Sequence, residues 1–225
     1  MNLKSHTWVF KSVLSSSVCD RIINTALAPK PLEKVGQKEQ AQIHRMSVGG
    51  SGEYRDLSKH PVTEEQKKDL LGKRNCQIIW LDEQWIFDLI FHYIRTANKE
   101  ANWNFQWDWT ESSQFVMYEK NQFYGWHTDS AASLGSNPKW KGSYGKTRKL
   151  SSNILLSDPS TYEGGDFQID NRMEDPDVEK KNIWTSPRER GTIIVFPSFS
   201  WHRVTPVTKG IRYAMTHWHW GQPWQ

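Results

Sequence analysis

The chain has 225 residues, a formal net charge of +4, a pI near 9.0 and 13 tryptophans. That length suits one domain with a core large enough to need no disulfide staples. It offers no window near the ~20 consecutive apolar residues of a membrane helix, and MNLKSHTWVFKSVLSSS lacks the apolar run of a secretion signal. The reading is a soluble, cytoplasmic protein whose two cysteines, Cys19 and Cys76, are free thiols. A basic excess this mild does not by itself call for nucleic acid.

In chain order, SSSVCDRIINTALAP (15–29) reads as a helix. Ser17 and Asp20 have capping-box spacing, Val18, Ile22 and Ile23 form an apolar face, and Pro29 and Pro31 stop it. Residues 35–60, rich in Gly and charge, read as a surface loop with the option of covering a bound target. DEQWIFDLIFHYIRTANKEAN (82–102) repeats Ile86, Leu89, Ile90, Tyr93, Ile94 and Ala97 at helical spacing, with Asp82 as the expected cap. From residue 112 onward short strand-like runs follow one another: SSQFVMYEK, FYGWHTD, KLSSNILLSD, DFQID, GTIIVFP, HRVTPV and RYAMTHWHW. A basic run, KWKGSYGKTRK (139–149), interrupts them. The expected class is mainly β with flanking helices (α+β), an antiparallel sandwich or barrel with the helices on one outer face. One domain over 1–225 is expected, with helical support over about 1–110 and a catalytic core over about 111–225.

Chemistry-bearing residues lie on those strands. In FYGWHTD, alternation puts His127 and Asp129 on one face and turns Thr128 away. Two ligands hold a metal weakly, and a lone pair of this kind is common by chance. His202, just after the apolar run GTIIVFP, is the candidate third ligand. Two histidines and one carboxylate suit a non-haem Fe(II) oxygenase, though zinc accepts the same set. Arg212 separates the two chemistries. It lies ten residues after His202, past the turn at Gly210, and an inward guanidinium can clamp a dicarboxylate cosubstrate in bidentate fashion. By the same parity Thr216 and Trp218 face the pocket, whereas His217 and His219 face away and are structural.

Together these motifs resemble the catalytic core of the Fe(II)/2-oxoglutarate-dependent dioxygenases, in their prolyl 4-hydroxylase-like branch. The matched elements are Tyr118 through Asp129, then YEGGDFQI (162–169), then GTIIVFPSFSWH to Arg212, and they span about half of the chain. The resemblance implies a double-stranded β-helix, or jelly roll, with His127, Asp129 and His202 holding iron. It implies 2-oxoglutarate bound with its far carboxylate on Arg212, assisted by Thr216 and lined by Tyr118. It implies that Tyr124, Arg148 and Trp218 meet a target prolyl residue, as in hypoxia-factor-type prolyl hydroxylases. Leu155 stands where that subgroup has a tyrosine reaching the cosubstrate carboxylate, and Asn153, on the same face, can supply a replacement hydrogen bond.

The implied activity is hydroxylation of a proline-containing peptide or protein using Fe(II), 2-oxoglutarate and O2, with ascorbate supportive and with release of succinate and CO2. The alternatives are the same chemistry on a free amino acid or other small metabolite, the same chemistry on alkylated nucleic acid, and a non-enzymatic jelly roll. Against nucleic acid stands Trp218, where that branch has a second arginine six residues after the first. Against a mere binding module stands the retention of three ligands together with Arg212.

Overall fold

The computed structural model describes residue 3 and residues 5–28, 44–45, 63–130, 134–135, 142–171 and 182–224. The N-terminal part is β1 (Trp8–Phe10), α1 (Ser16–Leu27), β2 (His44–Arg45), α2 (Glu64–Lys73), β3 (Arg74–Asn75), β4 (Gln77–Leu81), α3 (Gln84–Glu100) and β5 (Trp109–Thr110). Then come β6 (Ser113–Tyr118), β7 (Phe123–His127), β8 (Thr147–Leu155), β9 (Tyr162–Gly164), β10 (Phe167–Asp170) and β11 (Ile183–Thr185). The chain closes with β12 (Ile193–Pro197), β13 (Trp201–Val204), β14 (Val207–Gly210) and β15 (Arg212–Gly221). No described helix is long and apolar enough to cross a membrane.

Among the described residues the larger sheet runs β1-β12-β8-β15-β6-β4-β2, with β5 added on β15. The smaller runs β11-β10-β13-β7-β3, and β14 with β9 forms a two-stranded ribbon. Every pairing between these strands is antiparallel. Side chains alternate across the larger sheet, so it feeds two apolar clusters. Its inner face meets the smaller sheet through Ile78, Val116, Leu155, Phe167, Ile169, Ile194 and Phe196. Its outer face buries Phe115, Leu150, Ile154, Val195 and Met215 against α1 and α3. This is the expected jelly roll with helices on one sheet. The N-terminal segment is more than support, because β1 and β4 are strands of the larger sheet and β3 is an edge of the smaller.

Helix α1 begins one residue later than expected and ends at Leu27. Its cap is Ser15, whose hydroxyl accepts from the Val18 amide at 3.3 Å; Ser17 lies inside the helix, and Asp20 pairs with Arg190 instead of closing a capping box. Cys19, Ile22 and Ala26 are its buried stripe. In α3 the N-cap is Glu83, not Asp82, and no side chain caps it; packing of Ile86, Ile90, Ile94 and Ala97 holds this helix. HRVTPV is two strands, β13 and β14, separated at Thr205 and Pro206. Pro29, Pro31 and the covering loop expected over 35–60 lie outside the described residues, except for the backbone of 44–45 paired to β4.

The outer face of β15 carries His217 and His219, both 1% exposed. Ser113 Oγ lies 3.3 Å from His217 Nδ1 and Thr110 Oγ1 lies 2.9 Å from His219 Nδ1, while neither Nε2 has a partner. Burial lowers both imidazoles from 6.5 to about 3, with His217 adding to the effect on His219. The unfolded chain therefore takes up protons near 6.5 that the folded chain refuses until about 3. Their contribution to stability is complete above 6.5 and is lost as pH falls from there toward 3. Urea unfolding near neutral pH and near pH ~5 is expected to differ by a few kcal/mol from this source. Replacing both residues by Gln should flatten that dependence; an equally steep profile in the double variant would remove the explanation.

Candidate metal centre

β7 and β13 are antiparallel neighbours in which His127 and His202 are direct cross-strand partners. Asp129 follows two residues past His127, where its amide and that of Ser130 both donate to the Ser198 carbonyl at 2.8 Å. Ser198 in turn donates its amide to the Lys149 carbonyl and shares a 2.9 Å hydroxyl contact with Ser151. The turn before β13 and the segment after β7 are thus tied together by backbone bonds. The result brings His127 Nε2 to 3.7 Å from Asp129 Oδ1 and His202 Nε2 to 3.5 Å from Asp129 Oδ2. One ligand atom from each of the three lies within 4.8 Å of the other two.

Each imidazole is oriented from behind. His127 Nδ1 is 2.8 Å from the Gly125 carbonyl and His202 Nδ1 is 2.9 Å from the Ser200 carbonyl. A carbonyl only accepts, so Nδ1 carries the proton and donates, leaving each Nε2 lone pair turned to the centre. Burial, then the neighbouring His202, holds the His127 pKa well below 6.5. For Asp129 burial acts upward, but His202, His127, Arg148 and a hydroxyl bond from Ser151 outweigh it and hold the carboxyl below its usual range. These are the protonation states a metal requires. Two imidazole lone pairs and a carboxylate face one another, and buried Asp129 Oδ2 has no hydrogen-bond partner. That repulsive set of acceptors fits a divalent cation with two histidines and one carboxylate around it.

Aromatic side chains wall the site. The Tyr124 ring stacks on His127 at 3.5 Å between centroids, and Phe196 and Phe167 lie 4.8 and 5.8 Å from His202. The pocket they border is also lined by Tyr118, Asn153, Thr216 and Trp218. Arg212 sits beyond them, 1% exposed, as the direct partner of Tyr118 across β15 and β6. Its Nη2 lies 3.5 Å from Asn153 Oδ1, while Nε and Nη1 have no partner. A buried guanidinium left with idle donors is costly unless an anion meets it. Thr216 pairs across to Asn153, and Leu155 belongs to the inner apolar cluster. At that end of the pocket the polar side chain beside Arg212 is Asn153, in contact with the guanidinium itself.

Gly165 makes room for this arginine. Its φ is +64°, and a Cβ there would lie 2.8 Å from Arg212 Cδ and 2.9 Å from Val207 Cγ2. Gly165→Ala is expected to cost about 1–3 kcal/mol of stability and to weaken 2-oxoglutarate binding more than iron binding. Calorimetric titration of each ligand checks the second point, and equal losses for both would point to general unfolding.

Arg148 is less available than its sequence position suggests. Its Nε and Nη2 both donate to Glu111 Oε2, at 3.0 and 2.7 Å, and its guanidinium lies 4.0 Å from the Trp218 ring. Glu111 also accepts from Trp220 Nε1. Nearby, Lys146 pairs with Asp108, so part of the basic run is satisfied internally; residues 139–141 lie outside the described residues. Trp218 does face the pocket, and its Nε1 is buried without a partner. Two polar pocket residues escaped the sequence reading, Arg74 on β3 and Gln114 on β6. Neither sits in a recognisable motif, and only the strand order brings them together.

Comparison with known proteins agrees with this geometry. Residues 113–220 match the family described as the 2OG-Fe(II) oxygenase superfamily. Over 104 residues the chain is 32% identical to the PKHD-type hydroxylase YbiX of Escherichia coli and to that of Shigella boydii, covering 46% of this chain. The chain spans only 40% of the length of those relatives. In fold it matches a viral collagen prolyl hydroxylase from Paramecium Bursaria Chlorella virus-1, with a TM-score of 0.58 at 17% identity over 97% of both chains. A Pseudomonas putida prolyl-4-hydroxylase gives a TM-score of 0.57 at 13% identity, over 98% of this chain and 95% of the other. A prolyl hydroxylase from Trichoplax adhaerens, solved with a hypoxia-inducible-factor peptide, gives 0.53 at 16% over 96% and 84%. Residues 113–220, just under half of the chain, thus match the 2OG-Fe(II) oxygenase superfamily in agreement with the strand order and the His-Asp-His cluster, and the fold is like that of the prolyl hydroxylases.

Proposed function

We propose that the chain is an Fe(II)- and 2-oxoglutarate-dependent hydroxylase that acts on a prolyl residue of a peptide or protein. The observation that carries the proposal is Arg212, a buried guanidinium with two idle nitrogens beside Asn153 and Tyr118, which line the pocket that holds the three metal ligands. A zinc hydrolase has no use for such a clamp; a dicarboxylate cosubstrate does. His127, Asp129 and His202 hold the iron, which when bound supplies the coupled oxidation of 2-oxoglutarate by O2 to succinate and CO2 with one hydroxyl placed on the substrate. Arg212, with Thr216, Asn153 and Tyr118, orients the cosubstrate, while Leu155 packs beside it. Tyr124 and Trp218 face the target, and Trp218 Nε1 offers it a donor. Arg148 shapes this wall through its stacking on Trp218. Residues 1–225 act as one domain, because α1 and α3 share a core with the larger sheet.

The prolyl assignment is supported by the fold neighbours, several of which are prolyl hydroxylases, one holding a peptide. A small carboxylate-bearing molecule is the second reading, favoured by Arg74. The test is incubation with Fe(II), 2-oxoglutarate, O2 and ascorbate over a varied set of proline-containing peptides. Succinate formed in step with one added oxygen on proline is the expected result. Succinate without modified peptide moves the target to small molecules, and no succinate from folded, iron-loaded protein refutes the hydroxylase.

A further inference from the structure

The pocket holds a second buried arginine that the metal and the cosubstrate leave unused. Arg74, 5% exposed, lies on edge strand β3 opposite Tyr124 and reaches across to the larger sheet. Its Nε donates to Cys76 Sγ at 2.9 Å, its Nη2 donates to Gln114 Oε1 at 2.7 Å, and its guanidinium covers the Tyr124 ring at 4.4 Å. All three neighbours are neutral side chains, an amide, a phenol and a thiol that burial pushes up, away from ionisation. Among the described residues no carboxylate forms an ion pair with Arg74. Most buried cations have one, because a charge taken out of water is otherwise uncompensated.

Its position separates it from the cosubstrate clamp. Gln114 and Tyr118 are four residues apart on β6, which at the rise of a strand is about 13 Å. Arg212 is the cross-strand partner of Tyr118, whereas Arg74 spans from Cys76, through its Nε, to Gln114, through its Nη2. The pocket also carries Trp218, whose indole nitrogen is idle, and Tyr124, which stacks on a metal ligand. Arg74 lines the pocket of the three metal-ligating side chains, whereas Arg212 is not among its lining residues and lies 5.4 Å from the Tyr118 ring, so the two guanidinium groups are placed differently about that pocket.

We infer that Arg74, fixed by Gln114 and Tyr124, binds a carboxylate of the primary substrate next to the carbon that is hydroxylated. This rests on the hydroxylase reading and narrows its target to a carboxylate-bearing one. Two sources share that chemistry: the α-carboxylate of a free amino acid, or an aspartate or glutamate side chain beside the target residue in a peptide.

The test is calorimetric binding to protein loaded with Mn(II) and 2-oxoglutarate under nitrogen, so that affinity is read without turnover. The probes are matched pairs differing only in charge: L-proline and L-prolinamide, and blocked peptides with Pro-Asp or Pro-Asn. The expected result is at least a tenfold preference for the acid in one pair, reduced to under threefold in Arg74→Gln and partly retained in Arg74→Lys. Which pair responds tells the free acid from the peptide. The acid–amide comparison in the unaltered protein needs no variant, and circular dichroism of Arg74→Gln shows whether that variant is folded. Equal or absent binding of acid and amide in both pairs overturns the inference, as does a preference that survives Arg74→Gln. A 2-oxoglutarate affinity that falls in folded Arg74→Gln overturns it too, by placing Arg74 on the cosubstrate. Loss of the hydroxylase reading has a different signature, namely no succinate at all from the Fe(II)-loaded protein.

Discussion

Asp129→Ala is expected to abolish Fe(II)-dependent succinate formation while the protein remains folded. Asp129 is the one anion among the three ligands, and its Oδ1 and Oδ2 sit 3.7 and 3.5 Å from the two Nε2 atoms. Losing a mere partner of a metal ligand typically costs ~10–100-fold in affinity or activity, so losing the charged ligand itself should exceed ~100-fold. The fold should survive because the fixed part of this region is backbone: the amides of residues 129 and 130 on the Ser198 carbonyl do not depend on the side chain. Without metal, Asp129 Oδ2 is buried with no hydrogen-bond partner beside two imidazoles, so its removal leaves no polar group in need of one. Succinate assay, equilibrium dialysis of Fe(II) and circular dichroism decide the matter together. Undiminished succinate from the variant would remove the proposed centre.

Arg212→Ala is expected to raise the dissociation constant for 2-oxoglutarate while leaving iron affinity nearly unchanged. Truncating one partner of a buried, hydrogen-bonded charge pair costs ~2–5 kcal/mol, which is about 30- to several-thousand-fold in affinity. Arg212→Met sharpens the test. In the protein without cosubstrate the guanidinium has idle Nε and Nη1 atoms at 1% exposure, so an apolar side chain of similar volume should leave stability equal or higher. At ~100 times its dissociation constant 2-oxoglutarate should stabilise the unaltered protein by about 2.7 kcal/mol and the Met variant hardly at all. A Met variant that keeps both its cosubstrate affinity and its thermal shift would put the clamp elsewhere.

Much of this was legible in the residues because strands obey a strict two-residue period. His127 with Asp129, and Arg212 with Thr216 and Trp218, fall on one face by parity alone, and parity also sent His217 and His219 to the other side, where both are buried, His217 against Phe87 of α3 and His219 against Trp107. What stayed hidden depends on partners far apart in the chain. Arg74 meets Gln114, forty residues on, only because β3 and β4 carry the chain from one sheet to the other. Helix α2 was missed because EEQKKDLLGK has hardly any apolar stripe. The caps were misplaced by one or two positions because several adjacent serines or acids satisfy the same spacing, and only backbone angles choose among them. Arg148 was expected to meet the target, and its tie to Glu111 stayed hidden because that partner is thirty-seven residues away.

The cross-strand pairing of His127 with His202 has a consequence for how such a protein can change over generations. The separation of the two imidazoles is set by the lattice of hydrogen bonds between β7 and β13, not by the seventy-odd residues that join them. Insertions and deletions in that intervening chain, outside its strands, can therefore accumulate without altering the distance between the histidines. A substitution that shifts the pairing register by one residue, by contrast, turns one imidazole out of the pocket at a stroke. Target choice can drift gradually through segment length, whereas the ability to oxidise is kept or lost whole.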